Sequence, residues 1–238
     1  MKTPLLNLMI IAIQKAANYV NRDFSEVSFL LNTPNKAIDF AQQSQLKACK
    51  TMYNDLNKFK KSYSFIMPDS TKDIQKDLSN FFVINGILGL HNFSAGLPHF
   101  CLSLALERDS EIFAAVILNP ITNELFYAEK NVGAFFNKQK LRYNSTDNYL
   151  SSLNGIVSTD IQGIKEYQNN STKMPALILG CPPLELCYLA ANKFKSCNYQ
   201  VPLKPNELAP ALLIASEANL NLTYEVHNNV ITFLNNAE

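Results

Sequence analysis

Residues 81 to 100 constrain the fold of this chain more than any other stretch. They read Phe81-Phe82-Val83-Ile84-Asn85-Gly86-Ile87-Leu88-Gly89-Leu90-His91-Asn92-Phe93, then Leu97-Pro98-His99-Phe100 after a short gap. Four apolar residues end at Asn85-Gly86, which predicts a buried strand running into a turn. More strand signal follows at once. Phe100 to Glu107 and Ile112 to Asn119 read as a hairpin around Arg108-Asp109-Ser110-Glu111. Leu125 to Glu129 and Ala134 to Asn137 add two strands, separated by a turn holding Gly133.

Helices precede this strand-rich centre. From Pro4 to about Arg22, Leu5, Leu8, Met9, Ala12, Ala16, Tyr19 and Val20 fall on one helical stripe, with Pro4 in the first turn. Asn32 to Asn35 reads as a loop and Ile38 to Lys60 as a second helix. Tyr63 to Met67 is a short strand closed by Pro68-Asp69-Ser70, and Lys72 to Leu78 a polar loop or short helix. Asn144 to Ser152 is a polar link. Beyond it, strands at Gly155–Ser158, Ala176–Leu179, Asn198–Val201, Leu220–Tyr224 and Val230–Phe233 alternate with helices at Leu184–Asn192 and Glu207–Ala218, the last with Asn206 as N-cap. This order predicts a layered α/β (α+β) protein. Residues 1–143 form an N-terminal α+β subdomain and 144–238 a smaller C-terminal α/β subdomain of one compact unit.

Composition excludes several function classes. At 238 residues, 47% hydrophobic and 17% charged, the chain can bury a large core. A net charge of +1 leaves no electrostatic footprint for direct nucleic-acid binding. Five cysteines, none in a C-x-x-C pair, suggest neither a disulfide framework nor a zinc site and fit a reducing cytoplasm. The apolar run Leu8 to Ile13 is followed by no A-x-A-like cleavage site, and no stretch approaches a membrane span.

The central stretch resembles the signature of the inositol monophosphatase family, an apolar strand followed by D-P-x-D-G-T-x-N-F and a Pro-containing approach to the next strand. Gly89, Asn92, Phe93 and Pro98 match it. Other matches follow in family order. Ala16-Ala17-Asn18 resembles the opening A-A helix, Asp39-Phe40 the D-x-V-T segment, and Met67-Pro68-Asp69-Ser70 the G-E-E-S strand end. Asn119-Pro120-Ile121-Thr122-Asn123-Glu124-Leu125-Phe126-Tyr127-Ala128 is similar to D-P-x-x-N-E-L-F-x-A, and Leu203-Lys204-Pro205-Asn206-Glu207-Leu208-Ala209 to L-R-P-W-D-x-A.

The resemblance implies a five-layered αβαβα sandwich, usually dimeric, and magnesium-assisted displacement at a phosphate ester. It also shows where this chain departs from the family. Asp69 stands at a ligand Glu and keeps a carboxylate. Asn85 and Leu88 stand at the two metal-binding Asp positions, and Leu90 at the Thr that orients the attacking water. Gln45 replaces an Asp that supports another metal, and Glu207 replaces the Asp of W-D. Asp69, Asn85 and Glu207 are therefore the residual metal candidates. In the substrate region Gly180-Cys181-Pro182-Pro183 replaces G-S-A-A, and Gln200 stands at a Glu that contacts sugar hydroxyls. The family's Gly-Gly after the last large helix is Asn219-Leu220, and the C-terminus stops early.

These departures imply a cytoplasmic pseudo-phosphatase acting as a binding or scaffold protein. No cofactor is expected, with Mg²⁺ only if a residual site exists. The partners implied are a second copy or a related protein, and by family precedent a protein of the transcription machinery; neither nucleic acid nor membrane is implied. The rival reading is a weak Mg-dependent phosphomonoesterase acting on inositol monophosphate or a related sugar phosphate. A third is sugar-phosphate binding without turnover. Other features have bland alternatives. Gly86-Ile87-Leu88-Gly89 lacks the basic neighbours of a nucleic-acid G-x-x-G loop and reads as a turn. Cys181 at a helix start could be reactive, or simply a small residue replacing Ser. His91 and His99 could be catalytic, but His99 beside Pro98 reads as packing or bonding locally.

Overall fold

The structure is a computed structural model that describes residues 3–60, 62–68, 79–143, 154–155, 176–177, 179–194, 196–200, 205–227 and 230–235. Helix α1 spans Pro4–Val27 and α2 spans Pro34–Phe59. Thr3 caps α1 by accepting from the Leu6 N–H at 3.2 Å, with Pro4 following it. Leu6, Met9, Ile10, Ile13, Ala16, Ala17 and Val20 are buried, the spacing of one helical face. The helix runs past Arg22 because Asp23 finds partners across the helix pair: it accepts from Ser44 Oγ at 2.9 Å and pairs with Lys47 at 3.5 Å.

A seven-stranded sheet follows: β1 Ser64–Ile66, β2 Asn80–Leu88, β3 Cys101–Arg108, β4 Glu111–Asn119, β5 Glu124–Glu129, β6 Gly133–Phe136 and β7 Gln139–Leu141, in spatial order β1 to β7. β1 and β2 are parallel and every later pair is antiparallel. Asp109 and Ser110 both take positive φ (51° and 65°) in the tight β3–β4 turn. The helix α3, Leu90–Ser94, lies between β2 and β3.

The sheet is covered on both faces. On β4, Ala114, Val116 and Leu118 join the core beneath α1 and α2. Ala115 and Ile117 join a second core with α4, Pro182–Ala190, and α5, Pro205–Glu217. Two-sided burial explains why the strands read as unbroken apolar runs. β10, Ser196–Gln200, packs on α4 and belongs to a three-stranded antiparallel sheet ordered β10, β12 (Val230–Asn235), β11 (Leu222–His227). β8, Asn154–Gly155, and β9, Ala176–Leu177, form a parallel pair. The architecture is an α/β sandwich.

Three elements depart from the sequence reading. Asn85-Gly86 is not a turn: β2 continues to Leu88, with a register shift against β3 between Asn85 and Leu88. Asn206 is not an N-cap but sits in the first turn of α5, which begins at Pro205. α2 begins at Pro34, inside the expected loop. The expected polar link and the Lys72–Leu78 segment lie outside the described residues.

Candidate functional site

β2 carries Asn85 into a cleft of about 450 Å³. Asn85 is buried, and its Nδ2 donates to the Asn206 carbonyl oxygen at 3.2 Å. That bond ties the sheet to the first turn of α5 and places Glu207 beside Asn85 in the cleft. Ile66, Met67, Pro68, Val83 and Ile84 complete the lining. Sequence reasoning missed Asn206 as a site residue, because the atom it uses is a backbone oxygen.

Past Asn85 the strand bulges and α2 presses on it. Gln45 Nε2 donates to the Ile87 carbonyl oxygen at 3.0 Å. Leu88 is 6% exposed and packs in the second core with Cys101 and Cys181. The Cys181 thiol donates to the Leu88 carbonyl oxygen at 3.3 Å. Gly89 then takes φ +87° and turns the chain into α3. Leu90, first in that helix, packs against the first core. Asn92 Nδ2 donates to the His99 and Leu179 carbonyl oxygens, both at 2.7 Å, which holds α3 against the segment leading into α4.

The start of α4 is closed by its own chain. Pro182 and Pro183 have no N–H. The Leu184 N–H donates back to the Cys181 carbonyl oxygen at 3.0 Å. The Cys181 N–H donates to Glu185 Oε1 at 2.7 Å, and His99 Nε2 lies 3.3 Å from the same oxygen. These internal bonds engage the amides that would otherwise face an anion at a helix start. Glu185 is fully buried and its Oε2 has no hydrogen-bond partner among the described residues. Burial pushes its carboxyl up, against the opposing pull of His99 and the Cys181 N–H. Burial also pushes the Cys181 thiol well up, helped by the Cys101 thiol 3.6 Å away, so it is held as a thiol.

The sequence-predicted residues therefore fall into two groups. Asn85 and Glu207 share the cleft; Cys181 bonds the Leu88 carbonyl oxygen outside it, and Gly180 lies beside the Asn92 carboxamide. Gln200 ends β10, and Asp69 lies outside the described residues. His99 does not bond only locally, since its ring reaches Glu185 from 86 positions away. Glu185 went unnoticed, although its place four residues after Cys181 at a helix start is close to a capping-box spacing.

The sequence profile of the inositol monophosphatase family matches residues 1–228. The chain belongs to the inositol monophosphatase family. An inositol-1-monophosphatase from Rhizobium meliloti is 30% identical over 224 residues, covering 91% of this chain and 84% of that protein. A Nus factor SuhB from Vibrio cholerae is 27% identical over 231 residues, 92% of this chain and 85% of its own. The crystal structure of extragenic suppressor protein suhB from Bartonella henselae superposes with a TM-score of 0.82 at 27% identity, covering 98% of this chain and 95% of that one. Relatives of this chain thus include proteins named as a phosphatase and proteins named as a Nus factor.

Proposed function

We propose that this protein is a binding or scaffold member of the inositol monophosphatase family whose phosphatase turnover is lost. The observation that carries the reading is Leu88. The family resemblance puts a metal-binding carboxylate at this position, and here it is a hydrocarbon side chain packed into the second core. Magnesium takes hard oxygen ligands in octahedral geometry. Around Leu88 the chain instead supplies hydrogen-bond donors to backbone oxygens: Gln45 to Ile87 and Cys181 to Leu88. Asn85 spends its amide N–H on Asn206. Among the described residues this donor set does not fit a divalent cation.

A second reading draws support from the cleft that keeps the Asn85 amide and the Glu207 carboxylate together. On that reading the chain is a weak Mg-dependent phosphomonoesterase using Asp69, Asn85 and Glu207. The relatives named Nus factor SuhB favour the first reading, with a protein partner in transcription or a second copy of the chain as the bound species.

The deciding experiment is phosphate release from inositol monophosphate with and without saturating magnesium, run beside an Asp69→Ala/Glu207→Ala variant. The expected result is no release above the variant. Magnesium-dependent release that the variant abolishes would establish the phosphomonoesterase instead.

A further inference from the structure

A second cleft, of about 440 Å³, opens between α1 and two turns of the sheet. α1 contributes Gln14, Asn18 and Asn21. The β4–β5 turn contributes Asn123, and the β6–β7 turn contributes Asn137 and Lys138. Leu118 and Leu125 supply an apolar wall. Among the described residues, five carboxamides, one ammonium and no carboxylate line this cleft.

One edge of the cleft is fixed in advance. Asn137 Oδ1 accepts from the Leu125 N–H at 3.0 Å, and the Asn137 N–H donates to the Leu125 carbonyl oxygen at 2.7 Å. These reciprocal bonds lock the β6–β7 turn to β5. Asn123 and Asn137 hold positive φ (56° and 54°), a backbone region that asparagine tolerates well. The other polar groups are uncommitted. Asn21 Oδ1 is buried and has no hydrogen-bond partner among the described residues. The side chains of Gln14, Asn18, Asn123 and Lys138 make no hydrogen bond or ion pair within the described residues.

We propose that this cleft binds a small polyhydroxylated acid, of the sugar-acid or sugar-phosphate type. Each of the four uncommitted carboxamides, Gln14, Asn18, Asn21 and Asn123, offers an acceptor oxygen and two donor hydrogens, the complement of neighbouring hydroxyls that both donate and accept. Rotation of the Asn21 side chain gives its unpaired oxygen a hydroxyl donor. Leu118 and Leu125 face the C–H surface of the ligand. Lys138 pairs with its acidic group, and no carboxylate stands among the described lining residues. The cleft is separate from the one that holds Asn85 and Glu207, so this proposal stands independently of whether turnover survives.

Calorimetric titration of the full chain with gluconate, glucose 6-phosphate and sorbitol tests it. Saturable binding of at least one of the two acids is expected, with sorbitol weaker. The acid that binds tells a carboxylate from a phosphate ligand. Asn18→Ala and Asn21→Ala are each expected to weaken binding up to about tenfold, the loss of one hydrogen bond. Neither strands a partner among the described residues, so both variants should keep the wild-type circular dichroism spectrum and melting transition. Lys138→Met is expected to bring the acid down to the affinity of sorbitol. Glu207→Gln, in the other cleft, is expected to change nothing. The proposal is overturned if none of the three probes binds, or if folded Asn18, Asn21 and Lys138 variants bind as the wild type does. Loss of binding in Glu207→Gln alone would likewise move the ligand to the first cleft and overturn it.

Discussion

Gly86 lies against the backbone of Gln45: a Cβ at residue 86 would stand 2.2 Å from the Gln45 carbonyl oxygen and 3.0 Å from Cys49 Sγ. The glycine is what lets α2 seat on β2 and lets the Gln45 amide reach the Ile87 carbonyl. Its backbone lies outside the left-handed region, so the constraint is space and not φ. The atom in the way is main chain and cannot rotate aside. Gly86→Ala must therefore push a helix off a strand, and is expected to destabilise the protein by about 3 kcal/mol or more, at or above the usual range for overpacking. Urea unfolding should show a lower midpoint at unchanged slope. A midpoint equal to the wild type would mean that the helix is not seated on this glycine.

The same glycine shows where the sequence could and could not be read. Asn-Gly is a strong turn signal, and the sequence reading ended the strand there. A glycine inside a strand can also mark a bulge or the close approach of another backbone, and both occur at Gly86. Only a partner 41 positions earlier decides between these meanings, and local pattern cannot see it. Asp23 repeats the lesson: its contacts to Ser44 and Lys47 carry α1 a full turn beyond its predicted end. By contrast, the hairpin at Asp109-Ser110 is a local matter of turn chemistry and was placed correctly. In the candidate site, Asn85 and Glu207 were legible only through family resemblance. The contact of His99 with Glu185 spans the two halves of the chain and left no local trace.

Leu88 separates the scaffold reading from the enzymatic one. Its side chain packs with Cys101 and Cys181, and a carboxylate there would be buried without a cation from the described residues. Leu88→Asp is expected to cost about 3–5 kcal/mol, the range for an unpaired buried charge. Magnesium should not restore the loss. A cation that bound the folded variant would stabilise it in proportion to its concentration over Kd. The check is urea unfolding of Leu88→Asp with and without millimolar magnesium, beside the wild type. Recovery of the midpoint in magnesium would mean that the remaining ligands still form a working site, against the scaffold reading.

Glu185 gives the protein a pH dependence whose sign is fixed by burial. Its carboxyl is raised above the usual range, first because burial disfavours the charge, and His99 and the Cys181 N–H offset only part of that. A raised folded-state pKa means that the native protein holds this proton when the unfolded chain has already released it. The resulting stability is fully present below the ordinary glutamate value, about pH 4.3. It is lost as pH rises from there through the folded-state value. Besides His99, the Cys181, Cys187 and Cys197 thiols lie close by among the described residues, with Cys197 Sγ 3.7 Å from the Glu185 carbonyl oxygen. Those of Cys181 and Cys187 are pushed well up, and neither adds charge in this window. Glu185→Gln keeps an oxygen to accept from the Cys181 N–H and cannot ionise. The variant should therefore lose less stability than the wild type between about pH 4 and pH 8. Unfolding midpoints measured across that range should draw together at the acid end and separate at the alkaline end, with the variant higher. Parallel curves would mean that Glu185 carries no net shift, and that the unpaired Oε2 is solvated in the native protein.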